Sequence, residues 1–75
     1  MKERLLNRVR DKREQHGLTQ AELAYRVGVS RKTINTIENL VFFPSALLAI
    51  RIARCLEVGV EELFWIEGDG TCLSK

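Results

Sequence analysis

An all-α fold of short amphipathic helices is what this chain predicts. Three observations carry the expectation. Apolar residues recur at three- and four-residue spacing over most of the length. Capping hydroxyls at Thr19, Ser30 and Ser45 each precede a helical run, and Gly17 and Gly28 each follow one. A single Pro and few β-branched runs argue against a sheet protein. Seventy-five residues make one domain, near the lower limit for a core without staples, and 45 % hydrophobic content suffices for a small bundle.

The first helix is expected over about Glu3 to Gln15, with Leu5, Leu6 and Val9 as a narrow apolar stripe widened by the stems of Lys12 and Arg13. Gly17 ends it as the C′ residue, and His16 reads as a side chain set against the helix C-terminus rather than a ligand or base. Leu18 then stands at N′ of the next helix, placed to staple against Leu23. Thr19 and Glu22 make a capping box, Leu23, Ala24 and Val27 give the second helix its stripe, and Gly28 stops it. After Val29, Ser30 caps a third helix from Arg31 to about Asn39. Two short helices around a turn containing Gly form a helix-turn-helix unit.

The third helix carries the chemistry. At 3.6 residues per turn, Arg31, Lys32, Asn35, Thr36 and Asn39 share an arc of about 140°, with Ile34 and Ile37 opposite. The outward face therefore offers two cations, two amides and a hydroxyl, and no carboxylate. Such side chains read base edges and grip phosphates. An ordinary solvated face, the competing reading, more often mixes Glu with Lys.

Leu40-Val41-Phe42-Phe43-Pro44 forms the next loop, and Ser45 caps a fourth helix over about Ala46 to Leu56. That helix is apolar over most of its circumference, with Arg51 and Arg54 as its only charges, so something besides a small core must cover part of it. A fifth helix is expected over about Val60 to Trp65, with Leu63 and Phe64 facing in. Gly59 caps it weakly, and Glu61 and Glu62 favour its positive end. Gly68-Asp69-Gly70 reads as a turn, and residues 68–75 as a short tail after a domain of residues 1–67.

Charge is unevenly spread. Residues 1–35 hold nine Lys/Arg against four Asp/Glu, and residues 36–75 hold three against six. One basic pole is the footprint expected of a polyanion-binding face, although the same asymmetry serves solubility. Two Cys and one His cannot assemble a zinc site within one subunit, so no metal is expected. Cys55 reads as a small core side chain. Cys72 reads as a free thiol in a reducing cytosol or, if oxidised, a link between subunits. The N-terminus lacks the apolar core of a signal peptide, and the stretch from Leu40 to Ile50 is too short to span a bilayer. A cytoplasmic protein with no cofactor and no membrane partner is the expectation.

Several motifs recur in order with matching gaps: Gly17-Leu18-Thr19-Gln20-Ala21-Glu22-Leu23-Ala24, Val27-Gly28-Val29-Ser30, Thr33-Ile34, Ile37-Glu38-Asn39, Pro44-Ser45 and Glu61-Glu62-Leu63-Phe64. Over about residues 5–67 the chain resembles the Cro/cI-type (XRE-like) helix-turn-helix family, the phage repressors and their small chromosomal relatives. The resemblance implies a compact five-helix, lambda-repressor-like domain that binds double-stranded DNA as a twofold homodimer and catalyses nothing. It implies base reading by Arg31 and Lys32, with Thr36 and Asn35 behind them, from a helix lying in the major groove. It implies phosphate contacts by Thr19, Gln20, Ser30, Thr33 and Asn39, and a structural ion pair between Arg13 and Glu38.

Two departures stand out. The family pattern has Gly and a basic or polar residue after Glu-Asn, in a loop that skirts the DNA backbone; this chain has Leu40, Val41, Phe42 and Phe43. Leu47 and Leu48 also replace polar residues. These side chains either thicken the core under a closed loop or meet a protein, most simply a second copy. Leu40, Phe42, Phe43 and Leu47 are thus dimer candidates, with the C-terminal surface of Leu63 to Ile66, Trp65 above all, competing.

Two functional readings follow. One is a sequence-specific transcription regulator, a repressor by occupancy, on a palindromic operator. The other is a protein-interaction module of the same fold, such as an autoregulating antitoxin or a coactivator bridge, using the apolar stretch 40–48. An enzyme finds no support, because the chain holds no nucleophile–base pair, metal set or phosphate-cradling loop.

Overall fold

The chain opens in a strand, not in the helix that its first apolar residues suggest. The computed structural model describes residues 3–68, and its elements run β1 (Arg4–Asn7), α1 (Val9–Gln15), α2 (Gln20–Val27), α3 (Arg31–Glu38), α4 (Ala46–Cys55), α5 (Val60–Leu63) and β2 (Phe64–Glu67). The described residues form five helices together with a two-stranded antiparallel sheet. The fold is therefore helical with a small β appendage rather than all-α. The expected tail from Asp69 onward, with Cys72, lies outside the described residues.

Asn7 explains why the first helix is short. Its Oδ1 accepts from the Val9 amide at 3.1 Å, so the helix starts there, and its Nδ2 donates to the Ile37 carbonyl at 3.1 Å. Leu5 and Leu6, neighbours in sequence, point to opposite faces of β1 instead of sharing a helical stripe. The fifth helix also stops early, at Leu63. Phe64, Trp65 and Ile66 then pair with β1 in the register Asn7 to Phe64, Leu6 to Trp65 and Leu5 to Ile66. Aromatic and β-branched residues suit such a half-buried strand. The Arg8 amide donates to the Leu63 carbonyl at 3.0 Å and closes the junction.

Each helix contributes to one core. Val9, Leu23, Ile34, Ile37, Ile52, Leu56 and Leu63 are fully buried, and Phe64 from β2 joins them. Burying each of these side chains is worth about 1.5–3 kcal/mol. Leu18 and Cys55 pack against this cluster at its edge, as their sequence positions suggested. His16 Nε2 lies 2.8 Å from the Leu56 carbonyl, which can only accept, so the ring donates and ties the end of α1 to the end of α4.

Three helices end in the same paired-bond motif, with a left-handed residue at C′. After α1 that residue is Gly17, whose φ is +69°, with Leu18 N bonded to Arg13 O. After α3 it is Leu40 at +64°, with Val41 N bonded to Thr36 O. After α4 it is Glu57 at +61°, with Val58 N bonded to Ala53 O. Glycine relieves the strain at only the first of these.

Candidate nucleic-acid interface

Local chemistry fixes the angle between α2 and α3. Thr19 Oγ1 accepts from the Glu22 amide at 3.0 Å, and Glu22 Oε1 accepts from the Thr19 amide at 2.8 Å, so the capping box is complete. Gly28 adopts φ +83° and turns the chain. Ser30 Oγ accepts from the Thr33 amide at 3.2 Å and starts α3. Ile34 and Ile37 anchor α3 in the core, which leaves Arg31, Lys32 and Asn39 exposed and Thr33, Asn35 and Thr36 half-buried. The polar face stands clear of the bundle.

Beneath it lies a charged network. Arg13 Nε donates to Glu38 Oε2 at 2.7 Å, Arg13 Nη2 to Glu38 Oε1 at 3.2 Å, and Arg13 Nη1 to the Leu18 carbonyl at 2.9 Å. One guanidinium thus joins α1, the entry to α2 and the end of α3. The Glu38 side chain is wholly buried. Burial alone would push its carboxyl up, but the hydrogen bonds from Arg13 and Gln20 and the charge of Arg13, with a weaker hydrogen bond from Arg10, hold it below its ordinary value. The hydrogen bond to Glu38, against the cost of burial, holds the Arg13 guanidinium protonated even more firmly than usual.

Gln20 carries this network outward. Its Nε2 donates to Glu38 Oε1 at 3.0 Å, and because a carboxylate only accepts, the amide has one possible orientation. Its Oε1 consequently points at α3, accepting from Arg31 Nη1 at 3.1 Å and, more loosely, from Asn35 Nδ2 at 3.5 Å. Both ends of this side chain are engaged within the protein. Its role in the geometry is to aim Arg31, whose remaining donors have no partner among the described residues.

The other residues sort by what they have left to offer. Lys32 has no hydrogen bond or ion pair among the described residues. Thr19 Oγ1 keeps its hydrogen, and Ser30 Oγ shares a 3.0 Å bond with Thr33 Oγ1 at the front of α3. Thr36 Oγ1 donates to the Thr33 carbonyl at 2.9 Å, so it presents its methyl group and lone pairs. Asn39 Nδ2 donates to the Asn35 carbonyl at 2.9 Å, and Arg10 Nη2 donates to Asn39 Oδ1 at 3.3 Å, binding the end of α3 to α1. Arg10 was not singled out from sequence. Its spacing of three from Arg13 on one helix was the available signal.

Of the apolar candidates, Val41, Phe42, Phe43 and Leu47 are exposed, and only Leu48 turns to the core. Leu40 is half-buried. Trp65 belongs to β2, where the Arg8 guanidinium stacks 4.7 Å above its ring. Arg8, Lys12, Glu61, Glu62 and Trp65 line a cleft of about 300 Å³, to which α2 and α3 contribute nothing.

A convex polar helix, held by a capped partner across a left-handed turn, defines a DNA-binding helix-turn-helix protein. Comparison with known proteins agrees: a helix-turn-helix family model matches residues 9–63, and the chain belongs to this XRE-like family of transcriptional regulators, which are not enzymes. It is 48 % identical over 63 residues to an uncharacterized HTH-type transcriptional regulator of Methanothermobacter thermautotrophicus, covering 83 % of this chain and 91 % of that one. It is 38 % identical over 61 residues to the regulator YgzD of Bacillus subtilis, covering 81 % and 92 %. Among solved structures it is similar to the restriction-modification controller protein C.AhdI of Aeromonas hydrophila, with TM-score 0.68, 26 % identity and coverage of 72 % and 82 %. No helix among the described residues is long and apolar enough to cross a membrane.

Proposed function

We propose that this regulator is a cytoplasmic repressor that binds a palindromic operator as a homodimer, one α3 in each of two successive major grooves. Arg31 and Lys32 read bases at the front of α3, with Asn35 and Thr36 behind them. Thr19, Ser30 and Thr33 hold phosphates, and Gln20 and Asn39 brace the reading helix. The observation that carries this is the free, carboxylate-lacking face of α3, with Arg31 aimed through Gln20 at 3.1 Å. An arginine so held matches guanine O6 and N7.

Selection of bound duplexes from a random pool tests the whole reading at once. Two inverted half-sites about 34 Å apart, centre to centre, are expected. Enrichment of a single unrepeated site would overturn the dimeric arrangement, and no enrichment would overturn sequence-specific binding. A second reading rests on the exposed side chains at Val41 to Phe43: a module whose main partner is another protein, as in an antitoxin or a coactivator bridge.

A further inference from the structure

The cleft between α1 and α5 is lined by two cations, two carboxylates and an indole, none of them part of the reading face. Arg8 at the N-cap of α1 and Lys12 within it are four apart, one helical turn, and so lie on the same side of that helix. Glu61 and Glu62 come from α5 and Trp65 from β2. One wall is thus positive and the other negative. Yet the ion pairs among the described residues are those of Arg10 and Arg13 with Glu38, and none joins the two walls.

Two of the four charges are held by their own neighbours instead. The Arg8 guanidinium lies 4.7 Å over the Trp65 ring, and Glu62 Oε1 accepts from the Gly59 amide at 2.9 Å. Lys12 and Glu61 have no side-chain partner among the described residues. The backbone sets the distance between the walls, through the β1–β2 pairing and the bond from the Arg8 amide to the Leu63 carbonyl. The charges therefore face an open space. A lone anion entering it is drawn to Arg8 and Lys12 but repelled by Glu61 and Glu62, and a lone cation meets the reverse. Nor is it a metal site, because no three metal-ligating side chains lie together among the described residues. A ligand that carries both signs satisfies both walls.

We infer that this cleft binds a small zwitterion with its ammonium and carboxylate at opposite ends of a short apolar chain, the chemistry of an ω-amino acid. Its carboxylate accepts from Arg8 and Lys12, its ammonium donates to Glu61 and to the second oxygen of Glu62, and its spacer lies along the indole of Trp65. A volume of about 300 Å³ is at the lower end for ligand sites, which suits a small metabolite. Arg8, Glu61 and Glu62 are exposed, so water screens each contact and the affinity is modest. The site also adjoins the support of α3. Asn7, beside Arg8, starts α1 through its Oδ1 and donates from Nδ2 to the Ile37 carbonyl of α3 at 3.1 Å. A ligand that draws α1 and α5 together therefore acts on the bond that holds the end of α3, which makes it an effector of DNA binding. That last step alone rests on the DNA reading above.

Trp65 is the only tryptophan of the chain, so its fluorescence reports on the cleft without DNA. Titration of the full chain with ε-aminocaproate should change the emission saturably, with a dissociation constant of about 1–10 mM. Caproate and hexylammonium keep the chain and one charge each, and should bind at least about five-fold more weakly. Lys12→Gln and Glu61→Gln should each weaken ε-aminocaproate binding about two- to five-fold, with unchanged circular dichroism. Glu14→Gln, on α1 but outside the cleft, should bind as the parent does. No saturable change, equal binding of the singly charged analogues, or parent-like binding by both cleft variants would overturn the site. On the selected duplex, saturating ε-aminocaproate should alter affinity at least about five-fold, and less so in Lys12→Gln. Ligand binding with unaltered duplex affinity would keep the site and overturn its effector role. A chain that binds the ligand but no duplex at low salt would overturn the DNA reading and leave the site standing.

Discussion

The Arg13–Glu38 pair shows how single residues hold this domain together. A buried ion pair contributes little net stability against well-packed apolar residues, but removing one partner leaves a buried charge at a cost of about 3–5 kcal/mol. Glu38→Gln should therefore lose most of the stability of a small domain, measured by urea unfolding; a loss under about 1 kcal/mol would contradict the burial seen here. The pH dependence follows in sign. The folded pKa of Glu38 lies below its ordinary 4.5, so its contribution is complete above that value and is lost as pH falls through the lower folded value. The variant should lack that part of acid destabilisation. Arg31 acts on recognition instead. Arg31→Ala should cost about 1–3 kcal/mol of discrimination at one base pair per half-site, measured on the selected duplex and its single-base variants. Equal binding of specific and random duplexes by parent and variant would move the reading face elsewhere.

Among the elements, α2, the turn and α3 were legible because their signals are local: hydroxyl caps, a glycine at the turn and apolar spacing within twenty residues. The sheet was not legible, since β1 pairs with residues some sixty positions away and neither strand exceeds four residues. Asn7 was the overlooked sign, an amide that starts a helix two residues later. The role of Gln20 was hidden for another reason. That its amide turns inward to Glu38 depends on how α1, α2 and α3 converge, which no local pattern states. The paired-bond helix ends show the same limit, because Gly17 advertises its conformation and Glu57 does not. Glu57 also sets a negative charge at the negative end of α4. Glu57→Gly should therefore stabilise the domain by about 1 kcal/mol, with a melting temperature higher by about 4–8 °C. An unchanged or lower melting temperature would mean that the left-handed conformation is not strained there.

At the scale of the whole molecule, charge and symmetry are read by one experiment. The basic first half of the chain contains α1, α2 and the front of α3, whereas the second half is acidic. Attraction to DNA is therefore concentrated around the reading helix, and its salt dependence counts the phosphates that are neutralised. If the cations of one protomer neutralise two phosphates, log affinity falls against log salt with a slope of about −1.8; two protomers give about −3.6. Between 50 and 200 mM salt the dimer should lose about 10²-fold in affinity and a monomer only about 10-fold. Leu47→Glu retains every cation of the protomer and charges one of the dimer candidates, so if it separates the protomers it should bind a duplex with a single half-site with the shallower slope. A flat curve for the parent would remove DNA as the main partner and favour the protein-interaction reading. A steep curve unaltered by Leu47→Glu would keep the DNA and discard Leu47 as part of the dimer contact.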